Sequence, residues 1–285
     1  MNTFSLEAAN FPSLNCHGRL VDLSKPKIMG ILNMTPDSFS DGGRFFSEIE
    51  ALKHAERLVN EGVDILDIGA QSTRPNAEKI SAEGEVQRLG KIISLIKKEF
   101  PEVLISLDTF YSEVVRFGFD QGMDLANDIS GGQFDEKMFS TVAELKIPYV
   151  LMHINPTYET MHEKEMQGDM VVEINRYFSN NLQILKKLGV KDVILDPGFG
   201  FGKTVEQQHF MLDNCEHFGF GKFPLLIGIS RKSFIYKPLG KLPTEIDDLT
   251  QKLHLKVLEK GAKILRVHDV ASTKRTIEKF LEDKN

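Results

Sequence analysis

Polar side chains that could bind a charged ligand follow a series of short apolar runs in this chain. Carboxyl, amide and imidazole groups come at the ends of the first six runs, at Asn33, Asp67, Asp108, Asn127, His153 and Asp196. The last two runs lead into Ser230, Arg231, Lys232, Arg266 and His268. A single Asp after a strand usually caps a turn or a helix. Polar groups at all eight ends instead indicate a polar ligand, because unpaired buried charges are costly.

These groups offer two kinds of ligand contact. The acceptors and the amide come from Asp108, Asn127 and Asp196, and the cationic and N–H donors come from Arg74, Arg266 and His268. The acceptors suit a ring rich in N–H groups. The donors suit an anion, and Arg favours bidentate contacts to phosphate. The sequence therefore predicts a ligand with an N–H-rich ring on one side and a phosphate-type group on the other.

The apolar runs themselves predict parallel strands. They are continuous rather than alternating, as in strands buried on both faces, and they are Lys27–Leu32, Asp64–Leu66, Val103–Leu107, Asp124–Ala126, Ile147–Met152, Asp192–Leu195, Pro224–Ile229 and Lys263–Val267. Helical patterns alternate with them, at Ile49–Glu61, Glu85–Phe100, Ser112–Gln121, Lys137–Leu145, Met170–Leu188, Val205–Asn214, Thr244–Lys260 and Ser272–Leu281. Eight such units predict an α/β fold, a (β/α)₈ TIM barrel, with residues at the C-terminal strand ends forming the site. A doubly wound open sheet is the competing architecture.

The chain is expected to divide into an N-terminal extension, residues 1–26, and the barrel, residues 27–285. Ser13–Ser24 has the pattern of a small hairpin that turns at His17-Gly18 and covers one end of the barrel. Gly62, Gly122 and two further glycines follow helical segments, where a positive φ is needed to end a helix.

Composition limits the class of protein. The 285 residues carry a net charge of −6, which argues against a broad nucleic-acid footprint. Cys16 and Cys215 are the only cysteines, so neither a disulfide framework nor a CxxC metal site can be built. We expect a cytoplasmic protein, since the sequence has neither a secretory signal nor an apolar run long enough for a membrane span.

Two long polar loops, residues 29–43 and 69–76, are predicted at the active end of the barrel. The segment PGFGFGKT, residues 197–204, fits neither a phosphate-binding loop nor the dinucleotide fingerprint, because Pro197 and Lys203 stand where glycines are required. It is interpreted as a tight loop that lets a ligand approach the backbone, with Phe201 as a stacking face. Whether His153 contacts ligand or is buried in the core stays open.

Seven motifs together resemble one known family. MGILNMTPDSFSDGG, DILDIGAQSTRP, ISLDTF, LANDISGG, DPGFGFGKT, GISRKSFI and LRVHDV occur in this order and resemble the dihydropteroate synthases of folate biosynthesis, over residues 13–282. The resemblance implies a (β/α)₈ barrel. It also implies that 6-hydroxymethyl-7,8-dihydropterin diphosphate and 4-aminobenzoate condense to 7,8-dihydropteroate with release of diphosphate.

The resemblance also implies roles for individual residues. The pterin ring would be held by Asp108, Asn127, Asp196 and Lys232 in a slot shaped by Met152, Phe201 and Gly228. The diphosphate would be bound by Thr73, Arg266 and His268, with Asp41 closing the site, and Asn33 would ligate Mg²⁺. The aminobenzoate would be lined by Thr73, Arg74, Pro75, Phe201, Ser230 and Lys232. Asp108, Lys232, Arg266, His268 and Asp41 would be the catalytic set.

The resemblance further implies a homodimer and a target of sulfonamides. This chain departs from the family pattern at two positions, which bears on the expected sulfonamide sensitivity. The family commonly has Glu where this chain has Gln71 and Gly where it has Asn76. We expect altered tethering of the second loop with the chemistry retained.

Three other functions are compatible with parts of the sequence. A methyltetrahydrofolate-type methyltransferase barrel shares the ring-binding acids. Methyl transfer has no diphosphate leaving group, however, whereas Arg266 and His268 indicate one. A non-catalytic pterin-binding paralogue is disfavoured by the intact anion-binding residues. A phosphate-binding barrel of sugar metabolism is disfavoured by the acidic groups and by the lack of a catalytic Lys inside a strand.

Overall fold

The computed structural model describes residues 13–34, 43–72, 77–154 and 166–284, with residues 43–47 described by their backbone alone. The strands are β1 (Ser13–Cys16), β2 (Arg19–Asp22), β3 (Lys27–Asn33), β4 (Ile65–Gly69), β5 (Leu104–Asp108), β6 (Leu125–Asp128), β7 (Tyr149–Met152), β8 (Val193–Asp196), β9 (Leu226–Ile227) and β10 (Ile264–Val267). The helices are α1 (Gly43–Glu61), α2 (Ala82–Leu89), α3 (Ile92–Glu99), α4 (Ser112–Asp120), α5 (Met138–Leu145), α6 (Met170–Lys187), α7 (Val205–Asp213), α8 (Ser233–Tyr236), α9 (Asp247–Glu259) and α10 (Val270–Glu282).

The eight parallel strands form a barrel, as the alternating pattern predicts. Strands β3 to β8 pair in sequence order, and β10 pairs with both β3 and β9. A parallel bridge between Leu195 and Leu225 joins β8 to the segment before β9 and closes the ring. Because the sheet closes, the C-terminal ends of all eight strands meet around one opening.

The interior of the barrel is built in layers, because alternate residues of each strand point inward. The lowest layer is entirely apolar and consists of Met29, Ile65, Leu104, Leu125, Val150, Ile194, Leu226 and Ile264. The alternate strand residues that point outward, such as Leu107 and Ile68, pack against the surrounding helices. Each residue two positions beyond the lowest layer must therefore also face inward, toward the opening.

The N-terminal hairpin covers the lower end of the barrel, as expected from the sequence. Strands β1 and β2 pair antiparallel, and the turn places His17 and Gly18 at φ of 52° and 85°. Leu14 and Leu23 are buried against the lowest apolar layer, and burying each contributes about 2 kcal/mol. His17 Nε2 also bonds the carbonyl oxygen of Met123 at 2.7 Å.

Several predicted elements begin or end a few residues away from their observed bounds, and two predicted helices differ in kind. The helical pattern of Glu85–Phe100 is divided into α2 and α3, because Gly90 takes a φ of 54° that interrupts the helix. The first residues of the Thr244–Lys260 pattern form a 3₁₀ turn, Pro243–Ile246, ahead of α9. The helix-ending glycines are confirmed, since Gly62 and Gly122 have φ of 95° and 96°. Within the described residues, no helix combines the length and apolarity needed to cross a membrane.

Candidate active site

The second inward-facing layer of the barrel contains three charged side chains, Asp67, Asp196 and Arg266. Two positions above the apolar layer come Ile31, Asp67, Ser106, Asn127, Met152, Asp196, Gly228 and Arg266. Asp67, Ser106 and Asn127 are at most 4% exposed, and Ser106 Oγ has no partner among the described residues. Polar groups at this depth need hydrogen-bond partners, so the layer forms a polar floor to the opening.

A third inward-facing row lies at the rim. Asn33, Gly69 and Asp108 are register neighbours on β3, β4 and β5, and Asp108 pairs in register with Asn127 of the second layer on β6. Gly69 leaves room for its neighbour, because a Cβ at this position would lie 3.3 Å from the Cβ of Asp108. The amide of Asn33 and the carboxylate of Asp108 therefore project into the same opening, as their positions at strand ends predict.

Asp67 and Asp108 share one cation, Arg266. The Nε of Arg266 donates to Asp67 Oδ2 at 2.6 Å, and its Nη2 donates to Asp108 Oδ2 at 2.6 Å. Asn127 Nδ2 donates to both carboxylate oxygens of Asp67, at 3.2 and 3.1 Å. Since Asp67 is fully buried, these bonds compensate a charge that would otherwise destabilise the fold by several kcal/mol.

This arrangement changes the predicted separation of an acidic from a cationic side. Arg266 lies directly on the carboxylates, because two buried acids need a counter-cation and Arg266 reaches both of them across the barrel. Its Nη1 has no partner among the described residues. Arg266 thus links the two kinds of contact, with two nitrogens on carboxylates and a third donor available to an anion.

Burial raises the pKa values of the acids at this opening. Burial raises the pKa of Asp108, although the positive charge of Arg266 acts to lower it. Burial also raises the pKa of Asp196, to about 6. Burial and the charge of Arg266 lower the pKa of Lys232 to about 8, although Asp196 and Asp108 favour its charged form. Such displaced values at one opening are typical of a catalytic site.

The loop after β8 is fixed by Asp196 and Lys203. Asp196 Oδ1 accepts from the Gly198 backbone N–H at 2.7 Å, and Lys203 Nζ donates to the carbonyls of Gly198 and Phe201 at 2.9 Å each. Gly198 has a φ of 74°, and a Cβ there would lie 2.0 Å from the carbonyl oxygen of His153. Only glycine fits this approach, which confirms the sequence interpretation of a tight loop.

Phe201 and Met152 lie in an apolar wall beside the carboxylates. They cluster with Phe110, Ile129 and Ile154. The Nζ of Lys232 stands 4.5 Å from the ring centroid of Phe201. A flat apolar surface next to carboxylates and a cation suits an aromatic heterocycle that carries N–H donors.

Ser230 and His268 form a bonded pair at the end of the last two strands. The backbone N–H of His268 donates to Ser230 Oγ at 3.2 Å, and Ser230 Oγ lies 3.0 Å from His268 Nδ1. Because Ser230 is buried, its hydroxyl proton needs an acceptor, and Nδ1 provides one. With Nδ1 as the acceptor, the ring proton of a neutral His268 lies on Nε2.

His153 faces away from the barrel interior. Its neighbours in the chain, Met152 and Ile154, belong to the apolar wall, whereas its ring packs edge-to-face on Tyr177 of α6 at 5.0 Å. Burial lowers its pKa well below the usual value, and its Nδ1 has no partner within the described ranges. The imidazole is therefore a neutral packing residue in this structure.

The remaining candidates divide by whether the structure describes them. Gly228 lies beside Arg266, since a Cβ there would meet the Cβ of Arg266 at 3.8 Å. Asp41, Thr73, Arg74, Pro75 and the departure at Asn76 lie outside the described residues. The departure at Gln71 is described, and its amide bonds three backbone groups of the second loop.

The sequence places Asp67 at a strand end but assigns it no contact with the ligand, and it gives Lys203 no role in the site. Asp67 stands inside an otherwise apolar strand, Ile65–Gly69, and a charge in a buried strand is itself a signal. In the sequence Lys203 is notable only because it stands where the dinucleotide fingerprint requires a glycine. In the structure its Nζ holds the loop through two carbonyl groups.

The described protein oxygens at the opening could coordinate a magnesium ion only together with oxygens from a bound ligand. No group of three or more carboxylate, imidazole or thiol side chains that could hold a metal occurs in the part of the chain that the structure describes. Asn33 supplies one amide oxygen at the rim. Mg²⁺ is commonly held by one or two protein oxygens together with phosphate oxygens and water, so this single oxygen is compatible with an ion bound along with a diphosphate.

Comparison with known proteins agrees with this geometry. The family described as "Pterin binding enzyme" matches residues 29–268. Dihydropteroate synthase of Escherichia coli K12 is 40% identical over 264 residues, covering 91% of this chain and 92% of the relative. The chain belongs to the dihydropteroate synthase family. It is accordingly an enzyme, a transferase of the pterin-binding barrel class.

Solved structures of dihydropteroate synthases share the fold. The Xanthomonas albilineans enzyme with 4-aminobenzoic acid superimposes with a TM-score of 0.88 at 34% identity, covering 96% of this chain and 98% of that one. The same enzyme in complex with 7,8-dihydropteroate gives a TM-score of 0.85 at 33% identity, covering 96% and 99%. This chain therefore shares its barrel fold with the dihydropteroate synthases.

Proposed function

We propose that this chain condenses 6-hydroxymethyl-7,8-dihydropterin diphosphate with 4-aminobenzoate, giving 7,8-dihydropteroate and diphosphate in folate biosynthesis. The observation that carries the proposal is the position of Arg266, which bonds Asp67 and Asp108 while one of its nitrogens remains for an anion. Arg266 can therefore hold the carboxylates that face a ring and, at the same time, donate a hydrogen bond to an anionic leaving group. The family relatives with 4-aminobenzoate and dihydropteroate support the choice of substrates.

The pterin ring is assigned to the carboxylates and the apolar wall. Asp108 and Asp196 accept ring N–H groups, and Asn127 and Lys232 complete the polar contacts. Met152 and Phe201 bound the flat faces, with Gly228 leaving space beside Arg266. Ionised Asp108 and Asp196 also favour positive charge on the ring.

The chemical step is displacement of diphosphate at the pterin methylene. The bond from the methylene carbon to the bridging oxygen breaks, and its electron pair leaves with diphosphate. The ring delocalises the resulting positive charge. The amine lone pair of 4-aminobenzoate then forms the new C–N bond, and one amine proton passes to solvent. Since this amine is a weak nucleophile, its positioning matters more than its activation.

The leaving group is assigned to the donors at the other end of the opening. Arg266 and the Nε2–H of His268 stabilise the developing charge on diphosphate, with Thr73 of the second loop and with Asp41 closing the site. Asn33 would hold Mg²⁺ by its amide oxygen together with diphosphate oxygens and water. The bound ion would supply neutralisation of the leaving group.

The second substrate is assigned to the side of the opening formed by the second loop and the end of β9. Thr73, Arg74, Pro75, Phe201, Ser230 and Lys232 would line the aminobenzoate. Ser230 also bonds His268, so it stands between this subsite and the diphosphate donors. We further propose a homodimer, which sedimentation velocity tests directly.

A cytoplasmic location completes the proposal. It is supported by Cys16 and Cys215, which are both unpaired and buried, as in a reducing compartment.

The deciding experiment supplies purified protein with Mg²⁺, the dihydropterin diphosphate and 4-aminobenzoate, and measures dihydropteroate by mass and diphosphate by a coupled assay. We expect both products in equal amounts and only when both substrates are present. Protein that is folded by circular dichroism, binds the pterin and forms no product would instead be a non-catalytic pterin-binding paralogue.

A further inference from the structure

Lys203 clamps a tight turn in the loop after β8. The turn runs from Gly198 to Phe201 and is closed by a bond of 3.3 Å from the backbone N–H of Phe201 to the carbonyl of Gly198. Lys203 Nζ donates to the carbonyls of the same two residues, at 2.9 Å each. One side chain therefore holds the first and the last residue of the turn together.

The turn is buried, so its carbonyls need these bonds. Gly198 and Phe201 are both buried, and a buried carbonyl without a partner destabilises the conformation that contains it. Burial lowers the pKa of Lys203 to about 7, although Asp196 favours its charged form. Because a neutral amine keeps two N–H donors, both bonds survive loss of the proton. The clamp therefore depends on the donors of Lys203 and not on its charge.

The start of α7 fixes the backbone of Lys203 in turn. Thr204 Oγ1 accepts from the backbone N–H of Gln207 at 3.2 Å, and Gln207 Oε1 accepts from the backbone N–H of Thr204 at 3.0 Å, which is a capping box. Gln208 Nε2 donates to the carbonyl of Lys203 at 3.1 Å. Lys203 is thus anchored on a helix, and its side chain extends that anchor to the turn.

The turn places the ring of Phe201 in the apolar wall of the site. Phe201 clusters there with Met152 and Phe110, and its ring centroid lies 4.5 Å from Lys232 Nζ. Lys203 bonds the backbone of the turn rather than the ring. Its influence on a ligand at this wall therefore passes through the position of Phe201.

We propose that Lys203 is a positioning residue that holds the Phe201 ring where it can stack on the flat face of a bound pterin. The inference rests on the proposed function, because that function assigns Phe201 to the pterin ring. Without the two bonds from Lys203, the carbonyls of Gly198 and Phe201 need new partners, and the turn must move to reach them. The Phe201 ring moves with the turn, which weakens the stacking contact.

The first test uses a tryptophan reporter at the ring position and needs no substrate. The chain contains no tryptophan, so Phe201→Trp introduces a single fluorophore at the end of the turn. Adding Lys203→Met, which removes the donors but keeps an unbranched side chain, is expected to shift the emission to longer wavelength and to increase its quenching by acrylamide. Adding Lys98→Met, at an exposed lysine of α3, is the matched control. Emission and quenching equal to those of Phe201→Trp alone would overturn the proposal.

The second test is a double-mutant cycle on the affinity for unphosphorylated 6-hydroxymethyl-7,8-dihydropterin, measured by calorimetry. Lys203→Met is expected to weaken this binding about fivefold in the wild-type background and less than about twofold in Phe201→Ala, where no ring is left to position. A defect that does not act through Phe201 weakens binding by the same factor in both backgrounds. That result, or the absence of any change, would overturn the proposal.

A second variant loosens the same clamp more mildly, for use where Lys203→Met does not fold. Gln208→Met removes the donor to the Lys203 carbonyl and leaves the side chain of Lys203 in place. It is expected to give smaller changes in the same direction in both tests, and no change in the variants that fold overturns the proposal. A wild-type protein that binds no dihydropterin refutes the proposed function instead, while the fluorescence test still decides whether Lys203 holds the ring.

Discussion

Arg266 Nη2 donates a hydrogen bond of 2.6 Å to Asp108 Oδ2, which joins the last strand of the barrel to the third. The same guanidinium holds fully buried Asp67 through its Nε. The acid assigned to the ring and the cation assigned to the leaving group are therefore directly bonded before substrate arrives. Charge that develops at either end of the substrate is met by one preorganised unit, which needs little reorganisation during reaction.

Replacing Asp108 by Asn tests the charge that faces the ring. Asp108→Asn keeps the shape and one acceptor oxygen but removes the negative charge that favours a cationic pterin. We expect kcat to fall about a hundredfold, while the dissociation constant of the pterin diphosphate changes much less. Steady-state kinetics and calorimetry measure the two quantities. A kcat equal to that of the wild type would remove Asp108 from the catalytic role.

Replacing Arg266 by Ala tests the donor to the diphosphate. Arg266→Ala is expected to weaken binding of the pterin diphosphate much more than binding of the unphosphorylated pterin. It should also destabilise the fold by about 3–5 kcal/mol, because Asp67 loses its counter-cation. Arg266→Lys keeps a positive charge and serves as the control for folding. Equal loss of affinity for both pterins would contradict the assignment to the leaving group.

The pH dependence of kcat/KM for the pterin diphosphate reports the carboxylates and Lys232. Activity should fall as pH drops through about 6, because Asp196 becomes protonated, and the raised pKa of Asp108 extends this loss upward. It should also fall as pH rises through about 8, because Lys232 loses its proton. In Lys232→Met the alkaline decline should disappear from the residual activity. An alkaline decline that persists unchanged in Lys232→Met would show that another group causes it.

Glu85 makes stability depend on pH. It is fully buried in α2, and burial raises its pKa from 4.5 to about 8, although the nearby Thr109 hydroxyl favours the ionised form. Between these values the unfolded chain ionises while the folded chain keeps the proton. The contribution of Glu85 to the free energy of unfolding therefore decreases by a few kcal/mol as pH rises from about 4.5 to about 8.

Urea unfolding at several pH values measures this effect. Glu85→Gln should reduce the loss of stability across that range, whereas Glu99→Gln, at an exposed position of α3, should not. An identical pH dependence in Glu85→Gln and the wild type would mean that Glu85 ionises normally in the folded protein.

Much of this architecture follows from local patterns in the sequence. Continuous apolar runs predict strands covered on both faces, and the polar residue that ends each run predicts the composition of the opening. Asp108, Asn127 and Asp196 were identified in this way. The apolar stripe continues across Gly90, so periodicity alone predicts one helix there, although a glycine inside a helical pattern is a warning.

The pairing of Arg266 with Asp67 could not be derived from these patterns. The two residues are 199 positions apart, and their contact depends on barrel closure and on the stagger between strands, which hydrophobic periodicity does not specify. The same holds for Lys79, whose three aromatic neighbours come from the loops after β5 and β6. Side-chain contacts between loops depend on tertiary geometry.

A crystal structure of the protein with Mg²⁺ and the dihydropterin diphosphate, without 4-aminobenzoate, tests the central claim most directly. The account predicts ring nitrogens within hydrogen-bond distance of Asp108 and Asp196, and diphosphate oxygens on Arg266 Nη1 and His268 Nε2. A pterin diphosphate seated with its phosphates away from Arg266 and His268, or with its ring away from both carboxylates, would contradict it.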